Sequence, residues 1–213
     1  MHRRDLVLAS GPALAGALIL AAVVSASAAL SPQEDEARVT VQSTIEMVLG
    51  ILRNPSLPQE AKRTKVEQIA YDRFDFQLIS RLVLAQNWNK LSTKQQTDFV
   101  DAFKRHLSAT YRDTLDNFHD EKITIESSRL EPKGDVTVMT VVHGAASNTR
   151  VDYRMRKLPD GWRGIDVIVE GVSLVQNFRS QTQEILSAES PDVLIQRLRD
   201  KQMQDIAPKG KKS

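Results

Sequence analysis

The sequence predicts an α+β fold, a helical layer packed on a four-stranded antiparallel meander, from three observations. Helix-start signals recur through residues 31–118, the hydrophobic period changes from 3.6 to 2 at Lys122, and four strand-like segments with short turns follow. The chain has 213 residues, 41% of them hydrophobic and 26% charged, which suits one domain with its own core. A net charge of +2 gives no field that would recruit nucleic acid. The absence of cysteine excludes disulfides, Cys-type zinc sites, thiol nucleophiles and a lipidated N-terminal cysteine.

The N-terminus reads as a leader. Arg3 and Arg4 precede an uncharged stretch from Leu6 to Gln33, and Ala26-Ser27-Ala28 offers the small-x-small pattern of a signal-peptidase site. Residues 1–28 are therefore expected to be a signal peptide, with an uncleaved anchor as the rival reading. Arg3-Arg4 leaves the general secretory and twin-arginine routes both open. Removing 28 of 213 residues leaves 185, and losing Arg3, Arg4 and Asp5 lowers the charge from +2 to +1. A cysteine-free exported domain must be stabilised by packing alone.

The helices come next, over 32–118. Ser31-Pro32-Gln33-Glu34, Ser56-Leu57-Pro58-Gln59 and Ser92-Thr93-Lys94-Gln95 each resemble a capping box, in which a hydroxyl accepts from the free amides of a first turn. Val41, Ile45, Val48 and Leu52 form one apolar stripe, and Phe74, Leu78, Leu82 and Ala85 a second, predicting a helix from Phe74 to Trp88. Phe99, Phe103, Leu107, Tyr111 and Leu115 follow at i+4 along the longest helix.

The sheet is predicted over 122–170. Ile123 and Ile125 alternate with polar neighbours, and Pro132-Lys133-Gly134-Asp135 is a turn. Val136 to Val142 is apolar on both faces, as a central strand is. Val151, Tyr153 and Met155 point opposite to Asp152, Arg154 and Arg156, and Pro159-Asp160-Gly161 turns into a strand carrying Ile165, Val167 and Val169. C-terminal helices fill 173–206, starting at Ser173 and at Ser190-Pro191, and 209–213 reads as a disordered tail. The single domain thus covers 29–208.

Catalytic chemistry is sparse. His106, His119 and His143 lack metal-ligand spacing, and the G-x-S-x-G, P-loop and G-x-G-x-x-G patterns are absent. Ser173 with Gln176 is a capping box rather than a nucleophile. Asp152 and Asp166 are strand carboxylates that could act as a base in a cavity enzyme, but the neighbouring Arg154 and Arg156 make cross-strand ion pairs the simpler reading. Eight of the eleven aromatics (Tyr71, Phe74, Phe76, Trp88, Phe99, Phe103, Tyr111, Phe118) fall in the helices before the sheet, where they either fill a core or line a pocket.

Two blocks carry a family resemblance. The first runs through Phe74-Asp75-Phe76, Leu84 to Trp88, Leu91-Ser92, Gln95, Phe99, Phe103, Leu107 and Tyr111. The second holds Val151 to Lys157, Gly161-Trp162, Asp166-Val167 and Val169 to Val175, with Asn177, Arg179, Ser180 and Gln181. Together they resemble the MlaC, or toluene-tolerance, family of periplasmic phospholipid-binding proteins across the whole mature chain. Ala85, Phe178 and Thr182 depart from the family's usual Gly, Tyr and aromatic residue.

The resemblance implies a monomeric periplasmic carrier without enzymatic activity or cofactor, whose ligand is phospholipid or a related lipid; a hopanoid ligand stays open. Its implied partners are an outer-membrane lipoprotein complex and an inner-membrane ABC transporter with a ring-forming lipid-binding subunit. Burying a methylene contributes about 0.8 kcal/mol, so two acyl chains of roughly sixteen carbons oppose passage through water by on the order of 25 kcal/mol, and a carrier is needed. The expected tail pocket has Trp88, Phe103, Leu107, Tyr111 and Leu115 as its helical wall. Val138, Val142, Val151, Tyr153, Met155, Val167 and Val169 form the sheet wall, and the helix Phe74 to Trp88 is the expected moving part.

Overall fold

Capping chemistry fixes where the helices begin in the computed structural model, which describes residues 30–145 and 147–204. The expected leader and C-terminal tail lie outside the described residues. Helix α1 (Pro32–Leu52) starts at a reciprocal cap: the Glu34 N–H donates to Ser31 Oγ at 3.3 Å, and the Glu34 carboxylate accepts from the Ser31 N–H at 3.0 Å. The next helix, α2 (Gln59–Arg73), begins at Pro58, which has no side-chain acceptor. Ser56 was expected to cap it but lies too far back, with its N–H donating to Asn54 Oδ1 at 2.9 Å.

The expected helix from Phe74 to Trp88 is shorter and broken. Asp75 caps α3 (Phe76–Leu84) by accepting from the Leu78 N–H at 2.8 Å, and a 3-10 segment, Ala85–Lys90, follows. The break sits at Ala85, whose φ of 50° and ψ of −125° suit glycine rather than a residue with a Cβ. Helix α4 (Thr93–Asp116) opens at Ser92 with the expected capping box, Gln95 N–H to Ser92 Oγ at 3.2 Å and Ser92 N–H to Gln95 Oε1 at 3.1 Å.

Five strands follow in sequential order, all antiparallel: β1 (Lys122–Leu130), β2 (Val136–His143), β3 (Asn148–Leu158), β4 (Gly161–Val169) and β5 (Val172–Ser173). The sheet has one strand more than the sequence suggests. Glu170 (φ 49°) and Gly171 (φ 81°) reverse the chain so tightly that Val172 and Ser173 pair back onto Val169 and Ile168. Ser173 also caps α5 (Leu174–Ala188), and Ser190 caps α6 (Pro191–Arg199).

Two hydrophobic cores form and do not merge. Helix α1 lays Ala37, Val41 and Ile45 on one face of the sheet, against Val136, Val138, Met155 and Trp162. The second core belongs to α3–α6, where Phe99 stacks on Phe103 at 5.8 Å and Phe103 meets Phe178 edge-on at 5.0 Å. His106 belongs to it, 2% exposed and 5.5 Å edge-on from Phe178. Between the cores runs α2, which touches α1, α4 and β4 yet has no fully buried residue. The segment expected to move is instead well packed, since Ile79, Val83, Leu84 and Trp88 are all buried in the second core.

Replacing Ala85 by glycine removes the Cβ from a backbone conformation that glycine adopts freely. The expected gain is about 1 kcal/mol of stability, read as a higher urea midpoint with an unchanged slope.

Candidate functional site: two apolar cavities under helix α2

Helix α2 has a narrow apolar stripe, Val66, Ile69 and Ala70 at i, i+3 and i+4, flanked by Lys62, Arg63, Lys65 and Glu67. So thin a stripe cannot fill the seam it covers, and two cavities remain. The larger holds about 940 Å³ of atom-free space, its open mouth included, between α2, α4 and the end of β4. Its apolar walls include Tyr71, Phe76, Ile79, Leu107, Tyr111, Leu115, Val167 and Leu174. The smaller, about 660 Å³ on the same measure, lies between α1, α2 and the sheet, with Val41, Ile45, Val48, Ile69, Ile123, Tyr153 and Met155 on its walls. Val66, Ala70 and Phe74 line both, so they form the partition.

Phe74 is held in place by its backbone. It forms a parallel bridge with Gly164, and the Asp75 N–H donates to the Gly164 carbonyl at 3.1 Å. Its ring occupies the space a Cβ on Gly164 would need, with ring carbons 2.5 Å from that position. Gly164 comes to this place through a bulge: Arg154 pairs with Asp166 and Met155 with Gly164, leaving Ile165 without a partner on β3.

The N-terminal end of α2 is clasped to the C-terminal end of α4. Arg63 donates through Nε and Nη2 to the two Asp116 oxygens at 2.7 and 2.5 Å, and through Nη1 to Glu60 at 2.7 Å. The Arg63 hydrogen bonds, then that of Gln59, pull the Asp116 pKa down to about 2. Farther along, the Tyr71 hydroxyl donates to Glu67 at 2.5 Å and lies 2.8 Å from Ser108 Oγ, while the Lys104 ammonium sits 4.0 Å above the Tyr71 ring. Burial first, and the bond to Glu67 second, raise the Tyr71 pKa. In the smaller cavity burial alone pushes Tyr153 up to about 12.

Of the residues expected on the walls, Leu107, Tyr111, Leu115 and Val167 face the larger cavity and Tyr153 and Met155 the smaller. Trp88 and Phe103 do not: they are 7% and 0% exposed inside the filled core of α3–α6. Val138 is fully buried under α1, and Val142, Val151 and Val169 line neither cavity. The i+4 stripe of α4 drifts around the helix, so its first half packs inward and only its second half reaches the opening. Val66, Ile69 and Ala70 were missed, although their spacing was visible, because a stripe of three apolar residues in an otherwise charged helix carries little weight beside the longer stripes of α1 and α4.

Asp166 is buried, 4% exposed, on the shared wall of the larger cavity and a polar crevice. It accepts from Ser173 Oγ at 2.6 Å and from the Val175 N–H at 3.0 Å, with Arg154 Nη1 at 3.9 Å. The carboxylate thus anchors the start of α5, and burial raises its pKa despite these partners. Asp152 pairs with Arg150 on its own strand at 3.1 Å, and Asp135 with Arg156 through two bonds of 2.6 and 2.7 Å. Ser173 is occupied as a cap, accepting from the Gln176 N–H at 3.0 Å. Among the described residues no cluster of three or more His, Cys, Asp or Glu could hold a metal, and no helix is long and apolar enough to cross a membrane.

A sequential antiparallel sheet, two separate cores and a pair of apolar cavities beneath a half-buried helix define a cavity-bearing α+β protein. The chain belongs to the MlaC protein family, whose model matches residues 42–200. It is similar to the toluene tolerance protein ttg2D of Pseudomonas putida, 24% identical over 163 residues covering 72% of this chain and 74% of that one. Its structure is similar to that of the phospholipid-binding protein from Ralstonia solanacearum, solved in complex with a phospholipid. That match has a TM-score of 0.70 and 26% identity, covering 78% of this chain and 96% of that one.

Substitutions at two positions test the site. Gly164→Ala drives a Cβ into the Phe74 ring, which its own backbone bridge holds in place; a loss of about 1–3 kcal/mol is expected, with faster amide exchange in residues 66–78. For Asp166 the folded pKa lies above the unfolded one, so the folded state binds more protons and the wild type loses stability as pH rises from the unfolded value through the folded one. Asp166→Asn keeps an acceptor and lacks that decline. Its stability relative to wild type should therefore rise across this window, measured by urea unfolding from pH 3 to pH 7, whereas Asp166→Ala leaves the Val175 amide unsatisfied and costs about 1–3 kcal/mol at the acid end, a loss that narrows across the same window.

Proposed function

We propose that this protein is a soluble periplasmic carrier that holds the acyl chains of a phospholipid and moves it between outer and inner membranes. In this reading it serves as the substrate-binding component of an ABC-transporter-linked system. The observation that carries the reading is the partition: two apolar cavities meet at Val66, Ala70 and Phe74 under a single helix, which suits a two-tailed amphiphile. Family membership and the likeness to a Ralstonia protein solved with phospholipid support it.

Release follows from the same geometry. Gross burial on the order of 25 kcal/mol for two tails must be matched by a receiving apolar surface, so partners at both membranes are required. The inner-membrane partner would be a transporter with a ring-forming lipid-binding subunit, the outer one a lipoprotein complex. No catalytic step enters, since Asp166 and Ser173 are engaged in anchoring α5. Export by the N-terminal segment completes the reading, with the chain acting as a monomer.

Native mass spectrometry of protein purified gently from bacterial periplasm is expected to show co-purified lipid in a one-to-one complex. Ala70→Glu places a carboxylate on the partition, where burial against acyl chains disfavours it by several kcal/mol. The variant should fold and purify free of lipid. A clean apo mass for the wild type, or full lipid occupancy in Ala70→Glu, would overturn the reading.

A further inference from the structure

Apart from Asp166, the charged lining of the larger cavity comes from α2 and α4, and the exposed Arg112 marks the side that meets solvent. Arg63 and Glu67 from α2 face Ser108 and Arg112 from α4 there. These groups are not equally occupied. Arg63 is committed to Asp116 and Glu60 through all three of its nitrogens. Glu67 takes the Tyr71 hydroxyl on Oε1, and that bond, ahead of the smaller influence of Arg112 and Lys104, keeps its pKa low and its charge in place. Arg112 is exposed and enters no hydrogen bond or ion pair among the described residues. Its charge is nonetheless close enough to bear on both Glu67 and Asp116.

An amphiphile whose tails fill the cavities must leave its head at such a mouth. We infer that this lip is a headgroup site, with Arg112 taking the phosphodiester and Glu67 the free amine of a zwitterionic glycerophospholipid. The inference rests on the carrier reading above. Guanidinium matches phosphate oxygens in a planar, charge-assisted way, and among the described lining residues Arg112 is the cation without a hydrogen-bond or ion-pair partner. A headgroup bearing phosphate alone would bring its charge beside Glu67, Asp116 and Glu60 without an ammonium to balance them. A neutral polycyclic lipid would leave both Arg112 and Glu67 without a counterpart. The smaller cavity presents Arg73 but no carboxylate, so the pairing of signs is a property of the larger mouth.

The test compares three lipids with identical acyl chains: phosphatidylethanolamine, phosphatidylglycerol and diacylglycerol. Each is offered in mixed micelles to delipidated protein and scored by native mass spectrometry. The wild type should prefer phosphatidylethanolamine. Arg112→Gln should weaken both phosphodiesters by roughly three- to tenfold and leave diacylglycerol unchanged. Glu67→Gln keeps an acceptor for Tyr71 and should weaken phosphatidylethanolamine alone, several-fold. Unchanged diacylglycerol binding shows that both variants retain the tail cavities. Equal affinity for the three lipids in all proteins overturns the headgroup site while leaving the carrier reading intact. Failure of the wild type to bind any of them overturns both.

Discussion

The approach of the Phe74 ring to Gly164 decides how the rest of this molecule is arranged. A ring resting where a side chain would otherwise stand joins the α2–α3 junction to β4, and it stands between the two cavities as their common wall. The bulge at Ile165 delivers Gly164 to that position, and the same local shift aligns Asp166 with Arg154 and with the start of α5. One irregularity in β4 therefore serves the cavity partition on one side and the anchoring of a helix on the other.

Close packing and open apolar space are divided between different parts of the chain. The core of α3–α6 and the α1–sheet core are each packed within themselves and meet the seam only at their borders, through Ile79, Leu107 and Leu174 on one side and Val41, Ile45 and Met155 on the other. Helix α2, by contrast, is tied at one end through Arg63 to Asp116 and at the other through Phe74, with little burial between. An element held mainly at its ends can yield in the middle, and local opening of such a unit needs far less free energy than global unfolding. Unfilled apolar space lowers stability by the contacts it forgoes, a loss a binding protein tolerates because its ligand restores them.

Much of the fold was legible because its signals are local. Ser31, Ser92, Ser173 and Ser190 cap their helices as their spacing suggests, and the change of period at Lys122 marks the start of the sheet. What local patterns could not convey was three-dimensional placement. Trp88 and Leu115 read alike as apolar residues of adjacent helices, yet one is buried in a filled core and the other lines an opening. The pairing of Val151, Tyr153 and Met155 on one face was right in phase, but only the latter two lie under α1 and reach the seam. The break at Ala85 was hidden by a residue of high helix propensity, its backbone dictated by tertiary packing instead.

The sheet's two outer strands bear on how the protein behaves when empty. On one side β1 is interrupted by a register shift at Glu126, with Lys122 and Arg129 exposed along it. On the other, β5 pairs only with Ile168 and Val169, and the Phe74 bridge to Gly164 interrupts the rest of the β4 edge. Neither border offers a long flat row of unpaired amides and carbonyls for another chain to extend. A protein with open apolar cavities is exposed to self-association, and blunt sheet borders remove the template on which fibrils grow. The fold thus separates two kinds of stickiness, leaving apolar side chains available to small molecules while denying its backbone to other polypeptides.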